Sequence, residues 1–309
     1  MESIRVFAPA TVANVTCGFD ILGFAVDRPG DEIVLRKNEN GKLRIVRISG
    51  DGGALPTDIG RNTCGVVLTI FMEQTGIGVG LDVELNKKMP LGSGLGSSAA
   101  SAVAAAFAAN ELFGRPLTLE QLLPITMEAE RMACGAAHAD NVAPGLYGGF
   151  VLVRSYEPLD VVKLPVSESL YASIVHPHIE VKTKDAREIL RRELYLRDAV
   201  KQSGNVAGLV AGLLLSDYGL IGRSMHDYIV EPIRAILIPG YDDVKVAAIQ
   251  NGALGAGISG SGPSLFALCT SESLAFKAGK GMRDVYLGMD IQCDMYVSKI
   301  NLEGPRILD

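Results

Sequence analysis

The stretch Pro90-Leu91-Gly92-Ser93-Gly94-Leu95-Gly96-Ser97-Ser98-Ala99-Ala100 sets three glycines at alternate positions, then two serines at the head of an alanine run. Glycine lets a backbone take positive φ and approach a ligand with no Cβ in the way. Successive amides in such a turn form an anion nest. The following small-residue segment, Ser97 to Leu112, reads as a helix whose N-terminus adds unpaired N–H groups and the positive end of its dipole. An apolar strand near Leu81 to Leu85 runs into the turn. Strand, glycine turn and helix together read as a phosphate-binding loop, with Ser97 and Ser98 offering hydroxyls to magnesium or phosphate. A flexible Gly/Ser turn would explain the glycines but not the strand, the helix and the double serine together. A Cβ at Gly94 or Gly96 is expected to obstruct the nucleotide. No Gly-Lys-Ser/Thr follows the glycines, so this is not a Walker A loop, and no protein-kinase Val-Ala-Ile-Lys or His-Arg-Asp set is present.

Outward from the loop, the chain alternates strands and helices, which points to an α+β protein of two layered units. Ile4 to Pro9 reads as a strand, and Glu32 to Lys37 with Leu43 to Ile48 as a hairpin around Asn40-Gly41. Asn62 is placed to cap a helix carrying Val66, Val67, Ile70 and Phe71 at helical spacing. Thr118-Leu-Glu-Gln121 has the form of a capping box, despite Pro124 within the helix it opens. Around Val151 to Pro165 the pattern changes to a strand and a polar turn, so a boundary is expected there, with residues 1–160 and 161–309 as the two domains. Beyond it come a strand at Tyr171 to Val175, several helices, a second glycine-rich turn, and strands near Leu265 and Met295. Thr183 is expected to cap the helix bearing Arg187.

Composition narrows the function classes. Of 309 residues, 48% are hydrophobic and 21% charged, with a net charge of −6. That suits a globular protein with a sizeable core, and it lacks the basic footprint of a nucleic-acid binder. The five cysteines (Cys17, Cys64, Cys134, Cys269, Cys293) are scattered and form no CxxC pair. A disulfide framework or structural zinc site is not expected from them, and a reducing compartment is. No signal-peptide pattern opens the sequence, and Ala99 to Ala109 is far too short to span a bilayer at ~20 residues. The expectation is a cytoplasmic protein with no membrane partner.

Two more stretches accompany the loop. Ala8-Pro-Ala-Thr-Val-Ala-Asn-Val-Thr-Cys-Gly-Phe-Asp-Ile-Leu-Gly23 continues to Gly30-Asp-Glu-Ile33, and Gly255-Ala-Gly-Ile-Ser-Gly-Ser-Gly-Pro-Ser264 lies far downstream. With the loop, these resemble the motifs of the superfamily named for galactokinase, homoserine kinase, mevalonate kinase and phosphomevalonate kinase. Their order and spacing, with the His138 segment, suit the homoserine kinase branch best, over nearly the whole chain. The resemblance implies a small-metabolite kinase fold: an N-terminal domain of the ribosomal-protein-like α+β type with an unusual left-handed crossover, and a ferredoxin-like C-terminal domain. It also implies ATP, Mg²⁺ and L-homoserine as ligands, threonine biosynthesis as the setting, and a homodimer.

Residue by residue, the resemblance puts Asn14 and Asp20 in the amino-acid pocket, the Asp20 carboxylate facing the substrate ammonium. A buried ammonium needs such a partner; by turn preference alone both would be loop residues. Glu130 matches the family's magnesium ligand, working with Ser98. His138, Asp140 and Asn141, within Cys134-Gly-Ala-Ala-His-Ala-Asp-Asn-Val-Ala-Pro144, match its substrate and active-site segment; read alone, they would be a core histidine and a helix cap. Arg187 and Arg234 match the pair that grips the substrate carboxylate, a task suited to arginine's planar fork. Lys87 or Lys88 is placed to contact ATP phosphates, and Asn62 to lie beside the nucleotide.

The activity so implied is transfer of the γ-phosphoryl group of MgATP to an alcohol. Such transfer depends on positioning and charge neutralisation, so Asp140 as a base and transfer without a base, with Asn141 orienting the hydroxyl, both stay open. A kinase for a sugar or mevalonate would have no use for Asp20. A catalytically silent metabolite sensor would have no need of Glu130 and Ser98.

Overall fold

The computed structural model describes residues 1–135 and 138–309; Ala136 and Ala137 of the Cys134–Pro144 segment lie outside the described residues, as does the Cys134 side chain. The first half contains β1 (Ser3–Ala13), β2 (Leu22–Asn38), β3 (Leu43–Ser49), α1 (Thr63–Thr75), β4 (Gly80–Asn86), α2 (Ser97–Leu112), α3 (Leu119–Cys134), α4 (Ala139–Tyr147), β5 (Phe150–Tyr156) and β6 (Leu159–Leu164). The second contains β7 (Tyr171–Pro177), α5 (Thr183–Glu188), α6 (Leu196–Leu215), α7 (Tyr218–Ser224), α8 (Glu231–Arg234), α9 (Tyr241–Gln250), β8 (Gly255–Ile258), β9 (Leu265–Cys269), α10 (Glu272–Gly288), β10 (Cys293–Lys299) and β11 (Arg306–Leu308).

Local chemistry sets several of these boundaries as the sequence leads one to expect. The Asn62 side chain accepts from the Cys64 amide and starts α1, which ends on Gly76 at φ 68°. Thr118 and Gln121 form the reciprocal capping box of α3, and Pro124 lies inside the helix, past the four amides that need no intrahelical acceptor, so the helix forms despite one lost backbone bond. Helix α2 starts at Ser97 with Gly96 as its N-cap at φ 65°, and no side chain caps it. Its alanines are all buried, since small side chains let it lie close against β1 and β2.

The hairpin expected around Asn40-Gly41 does not form. The turn exists, with Gly41 at φ 64°, but β4 lies between the two strands, antiparallel to β2 and parallel to β3. Leu81, Val83 and Leu85 of β4 are all buried, and this strand satisfies the ladder edges of both neighbours. Asn38 also ties the end of β2 to β4 by donating to the Asp82 carboxylate at 2.7 Å. The 7-stranded sheet runs β11-β1-β2-β4-β3, with β5 and β6 joined to it through β2.

The 4-stranded sheet runs β10-β7-β9-β8, antiparallel throughout. In β9, Phe266 and Leu268 join the first sheet's core, while Leu265, Ala267 and Cys269 join a second core under α9 and α10. Period-2 alternation therefore feeds two cores, and Leu265-Phe-Ala-Leu-Cys269 reads as a continuous apolar run because both of its faces are covered. Phe24 of β2 stacks on Phe150 at 4.7 Å and meets Phe266 edge-on at 5.6 Å. That contact fixes the second sheet against the first and brings the turn between β8 and β9 to the phosphate loop.

Candidate active site

The loop is held by its carbonyls. The Ser264 hydroxyl donates to Ser93 O at 2.6 Å, the Ser259 hydroxyl to Gly94 O at 2.7 Å, and the Thr11 amide to Leu95 O at 3.1 Å. Gly92, Gly94 and Gly96 have φ of 66°, 77° and 65°, the left-handed region that glycine occupies without penalty. With the carbonyls engaged and α2 uncapped, the amides at the start of α2 are the donors left for an anion. Gly92, Ser93, Gly94, Gly96, Ser97 and Ser98 line a cavity of about 390 Å³. Leu95, Ala99 and Ala100 are buried behind it, and Pro90 leads into the loop without joining the lining.

The Cβ expectation for the loop glycines needs correction. A Cβ on Gly94 would meet Ser259 O at 2.4 Å and Gly262 O at 2.7 Å. On Gly96 it would meet Thr11 Oγ1 at 2.1 Å and Asn141 Oδ1 at 2.9 Å. Both directions point into protein and not at the nucleotide, because the loop packs on the β8–β9 turn and on β1.

Lys87 also differs from expectation. It is part of the cavity wall, but its ammonium is engaged by the Asp31 carboxylate, by Ser97 O at 2.7 Å and by Ser101 Oγ at 2.7 Å. An ammonium has three protons to donate, and all three are used. The side chains of Lys87 and Asp31 are 1% and 0% exposed. Asp31 further accepts from the amides of Lys88 and Met89, so the pair anchors the strand-to-loop entry. Lys88 pairs with Glu32. Thr183 does not cap α5: Lys182 holds that position without a side-chain bond, and the Thr183 hydroxyl meets Ser261 Oγ at 3.1 Å.

At the other end of the same cavity stand Asn14, Asp20, His138, Asp140, Asn141, Arg187 and Arg234. The N-terminal motif turns sharply here, with Asn14, Val15, Thr16 and Asp20 all at positive φ, a strain that surrounding contacts must hold. Asn14 supplies two of them, accepting from the Asp20 amide at 3.0 Å and donating to Gly260 O at 2.7 Å. Arg187 grips the Asp20 carboxylate with two hydrogen bonds of 3.1 and 3.0 Å. Arg234 is buried, bonds Ala186 O and Gly260 O at 3.0 Å, and its guanidinium is pulled below its ordinary pKa by burial and then by Arg187. Burial lowers the His138 pKa, opposed by Asp20, whose carboxylate lies 3.8 Å from Nδ1. Asp140 is pushed up to about 7, first by burial and then by the Asp20 charge.

Glu130 of α3 lines the same cavity as Ser98 and Asp140. The Ser98 hydroxyl is inaccessible and has no hydrogen-bond partner among the described residues. A carboxylate and an orphaned hydroxyl are hard oxygen donors, and they fit a magnesium ion held otherwise by phosphate and water. No cluster of three or more acidic, His or Cys ligands exists among the described residues, so a metal cage made of protein groups alone is not what this site offers. Asn62, with Leu55, Pro56, Arg61 and Thr63, also lines the cavity, though its side chain already caps α1.

Several residues were not singled out from sequence. Phe19 lies under both arginines, 5.5 Å from the Arg187 guanidinium and 5.1 Å from that of Arg234, a cation–π arrangement that orients the pair. The Tyr156 hydroxyl donates to Asp20 O at 2.7 Å and accepts from the Ala139 amide at 3.2 Å. Thr11 donates to Asn141 Oδ1 at 2.8 Å. Thr11 and Phe19 lie inside the quoted motif, where a polar residue in an apolar strand and an aromatic beside Asp20 were the available signals; Tyr156 gave none.

The family model described as GHMP kinases N terminal domain matches residues 62–149, and that described as GHMP kinases C terminal matches residues 209–287. The chain is 52% identical to a homoserine kinase of Chlorobium phaeovibrioides over the full length of both. It is 42% identical to one of Arabidopsis thaliana, covering 99% of this chain and 85% of the relative. A crystal structure of homoserine kinase from Cytophaga hutchinsonii superposes with a TM-score of 0.98 at 60% identity, over 100% of this chain and 98% of that one. L. major mevalonate kinase in complex with R-mevalonate shares the fold at 17% identity, with a TM-score of 0.72 over 95% of each chain. No helix among the described residues is long and apolar enough to cross a membrane. By both domain models and by similarity along its whole length, the chain belongs to the homoserine kinase family of the GHMP kinases.

Proposed function

We propose that this protein transfers the γ-phosphoryl group of ATP to the hydroxyl of L-homoserine, giving O-phospho-L-homoserine for threonine biosynthesis. The observation that carries this reading is the shared cavity, with a phosphate loop at one end and Asp20 facing two arginines at the other. An amino acid brings an ammonium and a carboxylate, and these are the groups that Asp20 and the Arg187/Arg234 pair recognise. A sugar or mevalonate has no ammonium for Asp20 to bind.

In this reading the loop amides of Gly92 to Ser98 hold the triphosphate, and Asn62 lies toward the base. Ser98 and Glu130 hold Mg²⁺, which when bound neutralises developing phosphate charge. Asn14 and His138 shape the amino-acid pocket, and Asn141 orients the acceptor hydroxyl. The hydroxyl oxygen forms a bond to the γ-phosphorus while the bond to the β–γ bridging oxygen breaks, releasing ADP. Asp140, with its carboxyl raised to about 7, is matched to accept the hydroxyl proton at neutral pH; otherwise the transferred phosphate takes it. If Asp140 is the base, Asp140→Asn loses roughly 10²–10⁴ in kcat. If positioning suffices, turnover survives within about tenfold.

We further propose a division of the chain near residue 160, a homodimeric assembly and a cytoplasmic location. The test of the function is a coupled ADP-release assay with L-homoserine, mevalonate, galactose or no acceptor. Turnover with homoserine alone supports the reading; turnover with mevalonate or galactose, or none with any acceptor, refutes it.

A further inference from the structure

We propose that Thr11 is a positioning residue that sets the Asn141 amide and the phosphate loop in one fixed relation. The inference rests on the reading of Asn141 as the group that orients the acceptor hydroxyl. Thr11 is 1% exposed and does not line the cavity, so it touches neither substrate. Its backbone amide donates to Leu95 O in the loop at 3.1 Å, and its hydroxyl donates to Asn141 Oδ1 at 2.8 Å. One residue thus holds the two halves of the reaction, the phosphate cradle and the acceptor guide. The register of β1 on β2 shifts between Pro9 and Thr11. Such an irregularity re-aims the residues beside it, and here the Thr11 amide serves the loop.

The chemistry of the bond gives it direction. A hydroxyl donating to the amide oxygen leaves the Asn141 NH₂ as the group presented to the cavity, where it donates no hydrogen bond among the described residues. An NH₂ facing the acceptor donates to the substrate hydroxyl oxygen and leaves the hydroxyl proton pointing away, free to depart as the oxygen attacks. A flipped amide would accept that proton instead, so the way round in which the amide is held decides which group meets the acceptor hydroxyl. Gly96 closes the arrangement from the loop side, since its missing Cβ would stand 2.1 Å from Thr11 Oγ1.

The test compares Thr11→Val, which removes the hydroxyl, with Thr11→Ser, which keeps it. Thr11→Val should lower kcat about 10–100-fold while the Kd for a non-hydrolysable ATP analogue stays within about threefold. Thr11→Ser should keep kcat within about threefold of wild type. Combined with Asn141→Ala, Thr11→Val should add little further loss, as expected when one residue acts through the other. Should Thr11→Val not fold, Thr11→Ala removes the same hydroxyl without adding a carbon. Nuclear Overhauser contacts of the Asn141 NH₂ protons in ligand-free protein give a readout that needs no turnover, and the amide should be fixed in wild type and both ways round in Thr11→Val. Wild-type kcat in the Val variant, equal losses in Ser and Val, multiplicative losses with Asn141→Ala, or an unchanged amide each overturn the proposal. A wild-type protein that does not phosphorylate homoserine overturns the functional reading instead, and the amide contacts then still decide the role of Thr11.

Discussion

The carboxylate of Asp20 and the guanidinium of Arg187 are joined by two hydrogen bonds of 3.0 and 3.1 Å. The two groups proposed to read opposite ends of the amino acid are therefore each other's partner before it arrives. A zwitterion replaces one internal pair with two external ones. An acceptor with a single charge breaks the pair and compensates only one of its members.

L-homoserine should accordingly exceed 4-hydroxybutyrate by at least about a hundredfold in kcat/KM, equivalent to ~2.7 kcal/mol. Hydrogen bonds to charged groups, at ~1.5–3 kcal/mol, are sufficient for that margin. Asp20→Asn should cost a similar factor in kcat/KM. Its effect on folding should stay near ~1 kcal/mol or below, because the Asp20 and Arg187 side chains are 23% and 37% exposed. Steady-state kinetics and urea unfolding check the two halves separately. Comparable kcat/KM for the two acceptors would contradict the pairing argument.

Lys87→Met should behave differently. It leaves the Asp31 carboxylate buried beside Ser97 with its ion-pair partner gone, a loss worth ~3–5 kcal/mol in folding stability. Denaturant unfolding of the ligand-free protein measures it. An unchanged midpoint with a raised KM for ATP would show that Lys87 serves the phosphates directly.

Gly96→Ala and Gly92→Ala form a matched pair. Both sites are left-handed, at φ 65° and 66°, but a Cβ at Gly92 meets nothing within 4 Å. Gly92→Ala should cost only the backbone strain, ~1–2 kcal/mol. Gly96→Ala adds displacement of Thr11 and Asn141, so it should weaken ATP binding at least tenfold (~1.4 kcal/mol) and also lower kcat at saturation. Calorimetric titration with a non-hydrolysable analogue and kinetics at saturating substrates make the comparison. Equal behaviour of the two variants would remove the significance of the Thr11 contact.

Glu130→Gln should raise the magnesium concentration needed for half-maximal turnover about tenfold or more, while the melting temperature moves by only a few degrees. A carboxylate supplies most of the protein's negative charge to an ion otherwise held by phosphate and water. A metal titration of activity at fixed ATP is the measurement, and an unchanged requirement would make Glu130 a helix residue only.

Asp140 provides a pH signature. Its folded pKa of about 7 lies above its ordinary 3.8, so between those values the folded state binds a proton that the unfolded state has lost. Stability should therefore fall as pH rises from about 4 to about 7 and level off above, by an amount on the order of 1–4 kcal/mol. Asp140→Asn should remove that slope and be the more stable protein at pH 8. Asp20→Asn should shift the slope to lower pH, since the Asp20 charge is the second cause of the elevation. Urea unfolding at half-unit pH steps reads all three proteins, and parallel profiles for wild type and Asp140→Asn would refute the assignment.

The sequence made legible whatever local chemistry decides. Asn62 and Thr118 start helices because their side chains satisfy amides within a turn, and the loop glycines announce positive φ by themselves. What it concealed came from pairings between distant segments. The interposed β4 is invisible to a turn signal at Asn40-Gly41, since that signal says where the chain reverses and not which strand it meets. Lys87 looked like a phosphate ligand because its neighbours are the loop, while the Asp31 carboxylate that holds it is 56 residues away. Tyr156 and Thr11 act on partners 136 and 130 residues distant, with side chains common enough that position alone gives them meaning.

The strand β11 lies on the outer edge of β1, pairing Arg5, Val6 and Phe7 with Leu308, Ile307 and Arg306. Ribosomes make the second of these partners about 300 residues after the first. At ~5–20 residues per second, β1 waits roughly 15–60 s with one edge open to any passing strand. Ser259 and Ser264, which hold the loop carbonyls, are also late arrivals. A nascent chain therefore carries the glycine loop before the two hydroxyls that clasp its carbonyls have been made.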